Sequence, residues 1–363
     1  MSPTKDLAPR VRPRGLQKVT MEEIARLCGT TKMTVSRVFS GRAGVGEELR
    51  VRILDEARRL NYVVNHQASS FSSNRVDLIG LATPFEGLLG SRYFQRIVEG
   101  LNRGLNNSPH DLVLFDMLDS TFEDGAKLES AWRRRKVDGL VILAPHTTDG
   151  FIRPLVKSGV PLVVVGEMEI GLRAQSITAD EEAGVKEAVD HLFALGHRRL
   201  AFVGGPVALS SAQRRRTSFI NRTRELGLSV AFDHIVAGDY TMRSGRELGA
   251  SMLRAGDVKR PTAIMAANDY MALGVIQSAL AENLRVPADL SVVGFDDLSD
   301  AAEYWPPLTT VHQPIRSIGE TAARILLSQI QPSAATLPPI ELICSLVVRE
   351  STGSPPVGAG KSR

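Results

Sequence analysis

Apolar and polar residues follow two different rhythms along the chain. Between residues 19 and 62, apolar positions recur three or four residues apart, in three groups that glycines separate. This spacing predicts three short amphipathic helices, of which the third runs from about Glu47 to Leu60. A small all-α domain is therefore expected in this part of the chain.

Residues from 78 onward show a different pattern. Short uninterrupted apolar runs, such as LIGLAT at 78–83 and LSVVGF at 290–295, alternate with longer amphipathic stretches. Apolar strands that alternate with helices indicate a parallel sheet with helices on both faces. Seven such runs would fill two doubly wound lobes. In this architecture a ligand binds beyond the carboxyl ends of the strands, here between the lobes.

Charge is unevenly distributed over the 363 residues. Residues 1–75 hold 14 Lys and Arg against 7 Asp and Glu, whereas the rest of the chain holds 30 against 33. The net charge of +4 therefore combines a basic head with a slightly acidic body. A basic head favours a polyanionic partner such as nucleic acid, with a merely solvated basic tail as the alternative on charge alone.

Composition excludes several other classes. No apolar run is long enough for a membrane helix, no secretory signal is recognisable, and two cysteines without CxxC spacing fit a reducing cytoplasm. The motifs of nucleotide-binding, serine-hydrolase and zinc-protease sites are missing, so an enzyme is disfavoured and no cofactor or metal is expected. Pro, Gly and Ser enrichment predicts loose tails over residues 1–18 and 352–363.

Residues 19–41 combine a helix, a short turn and a second helix with side chains suited to reading DNA. The second helix begins near Lys32 and carries polar groups on a face separate from Val35 and Val38. Recognition helices present cations, hydroxyls and soft apolar groups of this kind to bases and phosphates in the major groove.

The run VTMEEIARLCGTTKMTVSRV resembles the helix-turn-helix of the lactose-repressor (LacI) family of bacterial transcription regulators. Its KMTVSR segment is similar to that of the gluconate-type repressors in particular. The resemblance implies a DNA-binding domain over residues 19–62. It implies base reading by Lys32, Met33 and Arg37, and phosphate contacts by Thr20, Thr31, Thr34 and Ser36.

Residues 63–75 resemble the hinge of this family, a segment that forms a short helix only on operator DNA. Asn65 and Ala68 match the family's pattern, whereas Val64 replaces its usual proline. Phe71 stands where the family's leucine wedges between base pairs in the minor groove. We expect Phe71 to act as this wedge, with packing of its ring on the body as the alternative.

The body resembles the periplasmic-binding-protein-like core of the same family, most closely over residues 262–297 and 306–314. The resemblance implies an effector-binding and dimerisation domain over residues 76–351, built as an α/β body of two lobes. The lobes would comprise 76–178 plus 313–340 and 181–310 plus 343–351, with crossovers near 178–181, 310–314 and 340–344.

Polar side chains at the family's ligand-contacting positions suit a polar effector, which needs a cation, hydroxyl acceptors and an apolar wall. Arg215 is expected to hold the ligand, and Asn268 and Asp296 to accept from its hydroxyls, unless these two only cap a helix and form a turn. Glu167 lies next to a position where some sugar-binding members carry an aspartate, which leaves the ligand class open. The remaining candidates are Tyr93, Phe94, Asp180, Tyr240 and Gln313.

These observations predict a cytoplasmic, sequence-specific transcription regulator, expected to be a repressor. One helix-turn-helix reads only a half-site, so a homodimer on a palindromic operator is expected. A leucine heptad is missing from residues 352–363, which favours a dimer over a tetramer. The expected effector is a sugar or sugar acid. Control by a protein partner or a non-sugar ligand, and a plain solute-binding protein, remain as alternatives.

Overall fold

The computed structural model describes residues 19–39, 43–62, 75–83, 88–116, 125–143, 150–167, 174–254, 260–330 and 340–356. The chain divides into two compact units, Met1–Val76 and Asp77–Arg363, called here the head and the body. The predicted hinge residues Asn65, Ala68 and Phe71 lie outside the described residues.

The head contains the three helices that the apolar spacing predicts. They are α1 (Met21–Leu27), α2 (Lys32–Phe39) and α3 (Glu47–Arg59). Thr20 caps α1, because its hydroxyl accepts a hydrogen bond from the amide of Glu23 at 3.3 Å. The core that joins the three helices is apolar, and its most buried members are Ile24, Val35, Val38 and Ile53.

The first lobe of the body contains a six-stranded parallel sheet. Its strands are β1 (Leu78–Thr83), β2 (Asp111–Asp116), β3 (Gly139–Leu143), β4 (Leu162–Val165), β5 (Gln175–Asp180) and β11 (Ile340–Ile343). They lie in the order β11-β5-β4-β3-β1-β2. A Cβ on Gly100 would collide with the carbonyl oxygen of Arg316, so two helices pack there with their backbones in close approach. The helices are α4 (Arg92–Leu105), α5 (Ala126–Arg133), α6 (Ile152–Ser158) and α12 (Ile315–Ile330).

The second lobe also contains a six-stranded sheet. Its strands are β6 (Leu200–Gly204), β7 (Ile235–Ala237), β8 (Ala263–Ala266), β9 (Ser291–Asp296), β10 (Thr309–His312) and β12 (Ser345–Val347). They lie in the order β12-β10-β9-β8-β6-β7 and are parallel except for the β10–β12 pair. Its helices are α7 (Glu181–Ala194), α8 (Ser210–Glu225), α9 (Met242–Leu253), α10 (Asp269–Ala281) and α11 (Ser299–Glu303), with a 3-10 turn at Phe232–His234.

The chain passes between the lobes three times, after β5, after β10 and between β11 and β12. The predicted fold class, an all-α head with a two-lobed α/β body, is confirmed. The prediction of a loose tail beginning at Thr352 was wrong for its first residues. Thr352 hydrogen-bonds to His191 at 2.9 Å, and the carbonyl of Gly353 accepts from buried His197 at 2.8 Å, because buried polar groups need hydrogen-bond partners.

Among the described residues, the structure contains no helix that combines the length and the apolar character needed to cross a membrane.

Candidate functional site

A cavity lies between the two lobes, where the carboxyl ends of the strands meet. It contains about 700 Å³ of space that no atom fills, part of it open to solvent. Asp296 ends β9, and Glu181 begins α7 directly after β5, so one carboxyl group lies at a strand end and the other at a crossover between the lobes. The described lining residues are Leu88, Ser91, Tyr93, Glu181, Leu209, Ser211, Arg215, Asp239, Tyr240, Thr241, Asn268, Tyr270, Asp296 and Leu298.

Arg215 on α8 lies at the centre of this cavity and is only 4% exposed. Its Nε and Nη2 donate to Oε1 of Glu181 at 3.0 and 2.7 Å, and its guanidinium stacks on the Phe295 ring at 3.7 Å. Burial alone lowers the pKa of Arg215, but Glu181, Tyr240 and Asp296 together outweigh burial and raise the pKa. The predicted cation is therefore present in the cavity, and a carboxylate of the protein itself holds it.

Glu181 is a central residue that sequence reasoning missed. Its side chain is 2% exposed, and its second oxygen, Oε2, pairs with Nη2 of Arg214 at 2.9 Å. Arg214 also pairs with Glu167 at 3.1 Å. Two carboxylates, one before and one after β5 in the sequence, thus pair with two consecutive arginines. The only sign of this pairing in the sequence is that the chain contains both a run of three arginines and the acidic run DEE, and these lie far apart along the chain.

Asp180, the predicted neighbour, is not among the described residues that line the main cavity. Its carboxylate caps α7 by accepting from the amide of Ala183 at 2.9 Å. It lines a separate outer cleft instead. The sequence predicted Asp180, whereas the residue of the DEE run that lines the main cavity is Glu181, because the chain turns into the helix between the two.

Asp296 is held in the cavity by an unusual backbone. Its φ is +113° and that of Asp297 is +56°, a left-handed conformation that costs energy in non-glycine residues and often marks a functional site. Its Oδ1 is buried 3.6 Å from Nη1 of Arg215 and has no hydrogen-bond partner among the described residues. Burial raises the pKa of Asp296 to about 7, with Arg215 opposing and Glu181 adding to the shift.

Four further predicted residues have mixed outcomes. Tyr93 and Tyr240 line the cavity, and burial raises the pKa of Tyr240 to about 12. Phe94 does not line it in the described structure, because its ring packs against the hydrophobic core. Gln313 lines a small adjoining cavity and accepts from Arg215 Nη2 at 3.4 Å.

Asn268 lines the cavity but also has structural bonds at both ends of its amide. Its Oδ1 caps α10 by accepting from Met271 N at 2.9 Å, and its Nδ2 donates to the carbonyl of Tyr240 at 3.0 Å. Tyr240 has a φ of +67°, so Asn268 supports a strained backbone beside the cavity. Asn268 therefore lines the cavity and also caps a helix, which was the alternative to ligand binding.

The head places the predicted DNA-facing side chains on one surface of α2. Lys32, Met33, Ser36 and Arg37 are exposed, whereas Val35 and Val38 face the core. Met33 is 68% exposed, so its side chain is accessible for contact with a groove. Lys32 forms an ion pair with Glu22 of α1, and both side chains are more than half exposed.

Two of the four hydroxyls predicted to contact phosphate, those of Thr20 and Thr31, serve as helix caps in this structure. Thr31 Oγ1 accepts from the amide of Thr34 at 3.2 Å and lies 3.0 Å from its hydroxyl. Thr20 caps α1 as described above. Capping and phosphate contact can coexist, because a hydroxyl oxygen has two lone pairs as well as a donor.

One further cluster contains groups that metals use, at the start of the first lobe's sheet. Ligand atoms of Asp77, His110 and Asp138 lie within 4.8 Å of one another. Oδ2 of Asp138 accepts from the amide of Asp77 at 2.7 Å, which ties the starts of β1 and β3 together. That hydrogen bond gives the Asp138 carboxylate a structural role that needs no metal ion.

Comparisons with known proteins agree with this architecture. The family described as bacterial regulatory proteins, lacI family, matches residues 20–65, and a periplasmic binding protein-like domain matches residues 189–352. The chain is 30% identical to catabolite control protein A of Priestia megaterium over 335 residues, which cover 92% of this chain and 99% of that protein. It is 30% identical to the HTH-type transcriptional repressor PurR of Proteus mirabilis over 341 residues, which cover 93% and 98%.

Solved structures give the same result. A structure of the lac repressor dimer bound to operator and the anti-inducer ONPF aligns with a TM-score of 0.81 and 30% identity, over 93% of this chain and 100% of that one. A complex of the transcriptional regulator CelR with cellobiose aligns with a TM-score of 0.68 and 29% identity, over 92% and 99%.

The helix-turn-helix and the two-lobed body together define a DNA-binding transcriptional regulator with an effector-binding domain. The chain belongs to the lacI family of bacterial regulatory proteins. It is a regulator of transcription and not an enzyme. The finer resemblance to gluconate-type repressors stays a prediction.

Proposed function

We propose that this regulator is a repressor whose affinity for its operator is controlled by a small polar effector in the cavity between the lobes. The observation that carries this proposal is Oδ1 of Asp296, a buried oxygen of a cavity-lining residue that lies 3.6 Å from Arg215 and has no hydrogen-bond partner among the described residues. A buried acceptor of this kind is costly unless something donates to it. A ligand hydroxyl would supply that donor.

Two features favour a carbohydrate-like ligand. The cavity combines hydroxyl and carboxyl groups with the rings of Tyr93, Tyr240 and Tyr270, a mixture that suits a ring with polar edges and apolar faces. The related regulator CelR was solved with cellobiose. We therefore expect a sugar-like effector here as well.

The effector would act by changing how the lobes meet. In the present structure Arg96 of α4 donates to the carbonyl of Asp297 at 2.8 Å, and Arg92 pairs with Asp300 at 3.3 Å, so both bonds cross between the lobes. A ligand that prefers one lobe arrangement shifts the population by its difference in affinity for the two arrangements. We expect these bonds to differ between the liganded and free states.

On the DNA side, Lys32, Met33 and Arg37 would read bases, while Thr20, Thr31, Thr34 and Ser36 would contact phosphates. The hinge residues Asn65, Ala68 and Phe71 would contact the operator centre, which stays a prediction from sequence. We propose a homodimer on a palindromic operator, acting in the cytoplasm, where the DNA is. Exposed Leu114 on edge strand β2 supports a protein contact there.

The proposal can be tested with the full-length protein and a panel of neutral sugars, sugar acids and purines. A compound that raises the melting temperature should also change operator binding in a gel-shift assay. Asp296→Asn should abolish that response while operator binding of the free protein persists. Asp233→Asn, a change at an exposed carboxylate on the 3-10 turn, serves as the control. An unchanged response in Asp296→Asn would contradict the proposed site.

A further inference from the structure

The charges around the main cavity disfavour an anionic ligand. Among the described lining residues Arg215 is the only cation, whereas Glu181, Asp239 and Asp296 carry carboxyl groups. Burial alone would raise the pKa of Asp239, but hydrogen bonds from Ser244 and Thr241 lower it, which favours its ionised form. An anion entering this space would therefore meet more negative than positive charge.

Four of the five N–H donors of Arg215 are already committed to protein acceptors. Nε and Nη2 donate to Glu181 at 3.0 and 2.7 Å, Nη1 donates to the carbonyl of Ala267, and Nη2 also reaches Gln313 at 3.4 Å. A ligand carboxylate binds arginine best through two parallel N–H donors. The pair that would serve, Nε and Nη2, is held by Glu181.

Displacing Glu181 would be costly because it pairs with two cations at once. Its Oε1 pairs with Arg215, and its Oε2 accepts from Nε of Arg214 at 3.1 Å and pairs with Nη2 at 2.9 Å. The carboxylate is 2% exposed, so water could not replace the lost partners. Removing one member of a buried ion pair leaves an uncompensated charge, which is strongly unfavourable.

When Asp296 is ionised, its unpartnered oxygen is a hydrogen-bond acceptor and not a donor. Oδ1 of Asp296 lies 3.6 Å from Nη1 of Arg215, beyond hydrogen-bond distance, and has no partner among the described residues. Hydroxyl groups can donate to it, whereas a carboxylate cannot. A ligand hydroxyl can therefore donate to Asp296, whereas a ligand carboxylate finds the Nε and Nη2 donors of Arg215 already bonded to Glu181.

We propose that Glu181 is a specificity-determining residue that occupies Arg215, excludes sugar acids and other anions, and restricts the effector to uncharged polyhydroxyl compounds. This inference rests on the effector cavity proposed above. Of the two ligand classes that the sequence left open, Glu181 selects the neutral sugar.

The first experiment compares neutral sugars with their own acids. Melting temperatures of the full-length protein are measured with glucose, galactose, xylose and cellobiose, and with glucuronate and galacturonate at equal concentration and ionic strength. A neutral member should stabilise the protein, and its acid should require at least tenfold higher concentration for the same shift. An acid that stabilises the wild-type protein at an equal or lower concentration than the neutral sugar overturns the proposal.

The second experiment does not depend on finding the effector. Glu181→Gln keeps the size of the side chain and removes the charge that neutralises Arg215. Millimolar sulfate should then stabilise this variant at concentrations at least tenfold below those needed for the wild type. Glu182→Gln, on the exposed neighbouring residue, should respond as the wild type does, which removes general salt effects on stability. Equal sulfate responses in all three proteins would show that Glu181 does not control anion entry.

The two experiments separate this inference from the function on which it rests. If no sugar stabilises the wild type but sulfate stabilises Glu181→Gln selectively, the assignment of Glu181 holds and the sugar effector is wrong. If a neutral sugar and its acid stabilise the wild type equally, the effector cavity holds and the role of Glu181 is wrong.

Discussion

The surface of α2 and the cavity between the lobes both carry arginine or lysine, but they handle charge in opposite ways. On α2, Lys32 is exposed and its pairing with Glu22 lies in water, where an ion pair contributes little. In the cavity, Arg215 is buried, stacked on Phe295 and held by Glu181. A surface that must meet a polyanion keeps its cations accessible, whereas a site that must select among small molecules fixes each charge before the ligand arrives.

This difference predicts which changes affect binding and which affect folding. Replacing an exposed cation on α2 should remove a proposed contact with DNA and leave the fold unchanged. Replacing a buried cation in the cavity should also leave an unpaired carboxylate in a dry environment. Five expected outcomes follow from this distinction, from the largest effect to the smallest.

Arg215→Ala should destabilise the body as well as remove the effector contact. Breaking a buried ion pair from one side costs about 3–5 kcal/mol, because Glu181 keeps its charge and loses its main partner. Chemical denaturation should show this loss. Arg216→Ala, at the exposed neighbouring position, should stay within about 0.5 kcal/mol of the wild type. If Arg215→Ala is as stable as Arg216→Ala, the buried pair does not hold the cavity together.

Lys32→Ala should weaken operator binding without changing the free energy of unfolding. If Lys32 contacts a guanine, the loss is about 1–3 kcal/mol for the cognate operator and preference relaxes at one base pair. Glu22→Gln releases Lys32 from its ion pair and should leave binding equal or stronger. Binding to a set of operator variants in gel-shift assays measures both. A uniform loss across all variants would make Lys32 a phosphate contact instead.

Effector binding should strengthen as pH rises from 6 to 8. Since the pKa of Asp296 is about 7, its carboxylate is mostly protonated at pH 6 and mostly ionised at pH 8. If only the carboxylate binds the ligand, the dissociation constant changes by up to about tenfold over this range. Calorimetry at several pH values checks this, and Asp296→Asn should flatten the profile.

The free protein should show the opposite trend at the same residue. A carboxyl group whose pKa is raised in the folded state contributes stability that is present below its unfolded pKa and is lost as pH rises through about 7. Asp269, whose pKa is raised by burial and by Asp296, adds in the same direction. Stabilisation of the free protein between pH 6 and 8 would argue against the buried carboxyl pair.

Thr20→Ala should have the smallest effect, a loss of about 1 kcal/mol in head stability, because the cap of α1 is removed. Thr20→Ser keeps the capping oxygen and should recover most of the loss. Melting of the head is measured by circular dichroism, and operator binding in parallel. A variant that binds DNA less well but melts normally would favour a phosphate contact over a cap.

Local features of this protein were determined by the sequence itself. The three head helices, the exposed polar face of α2 and the alternating strands follow from periodicity and capping, which act over a few residues. The lobed body and the position of Arg215 followed from a family resemblance that spans most of the chain. The hydrogen bonding of Thr352 and Gly353 could not be read locally, because their partners lie more than 150 positions away.

Only the tertiary structure decided which groups meet in the cavity. Glu181 and Arg215 are 34 residues apart, and the pairing of Gln313 with the same arginine spans 98 residues. Asp180 was predicted to line the cavity, but its neighbour Glu181 does so, and Asp180 lines the outer cleft. Phe94 was also predicted to line the cavity, but it packs against the core. Moving one position along a strand end or a helix points a side chain in a different direction. Burial then sets the charge state of Asp296 and the commitment of Arg215. These properties depend on the surrounding protein rather than on residue type.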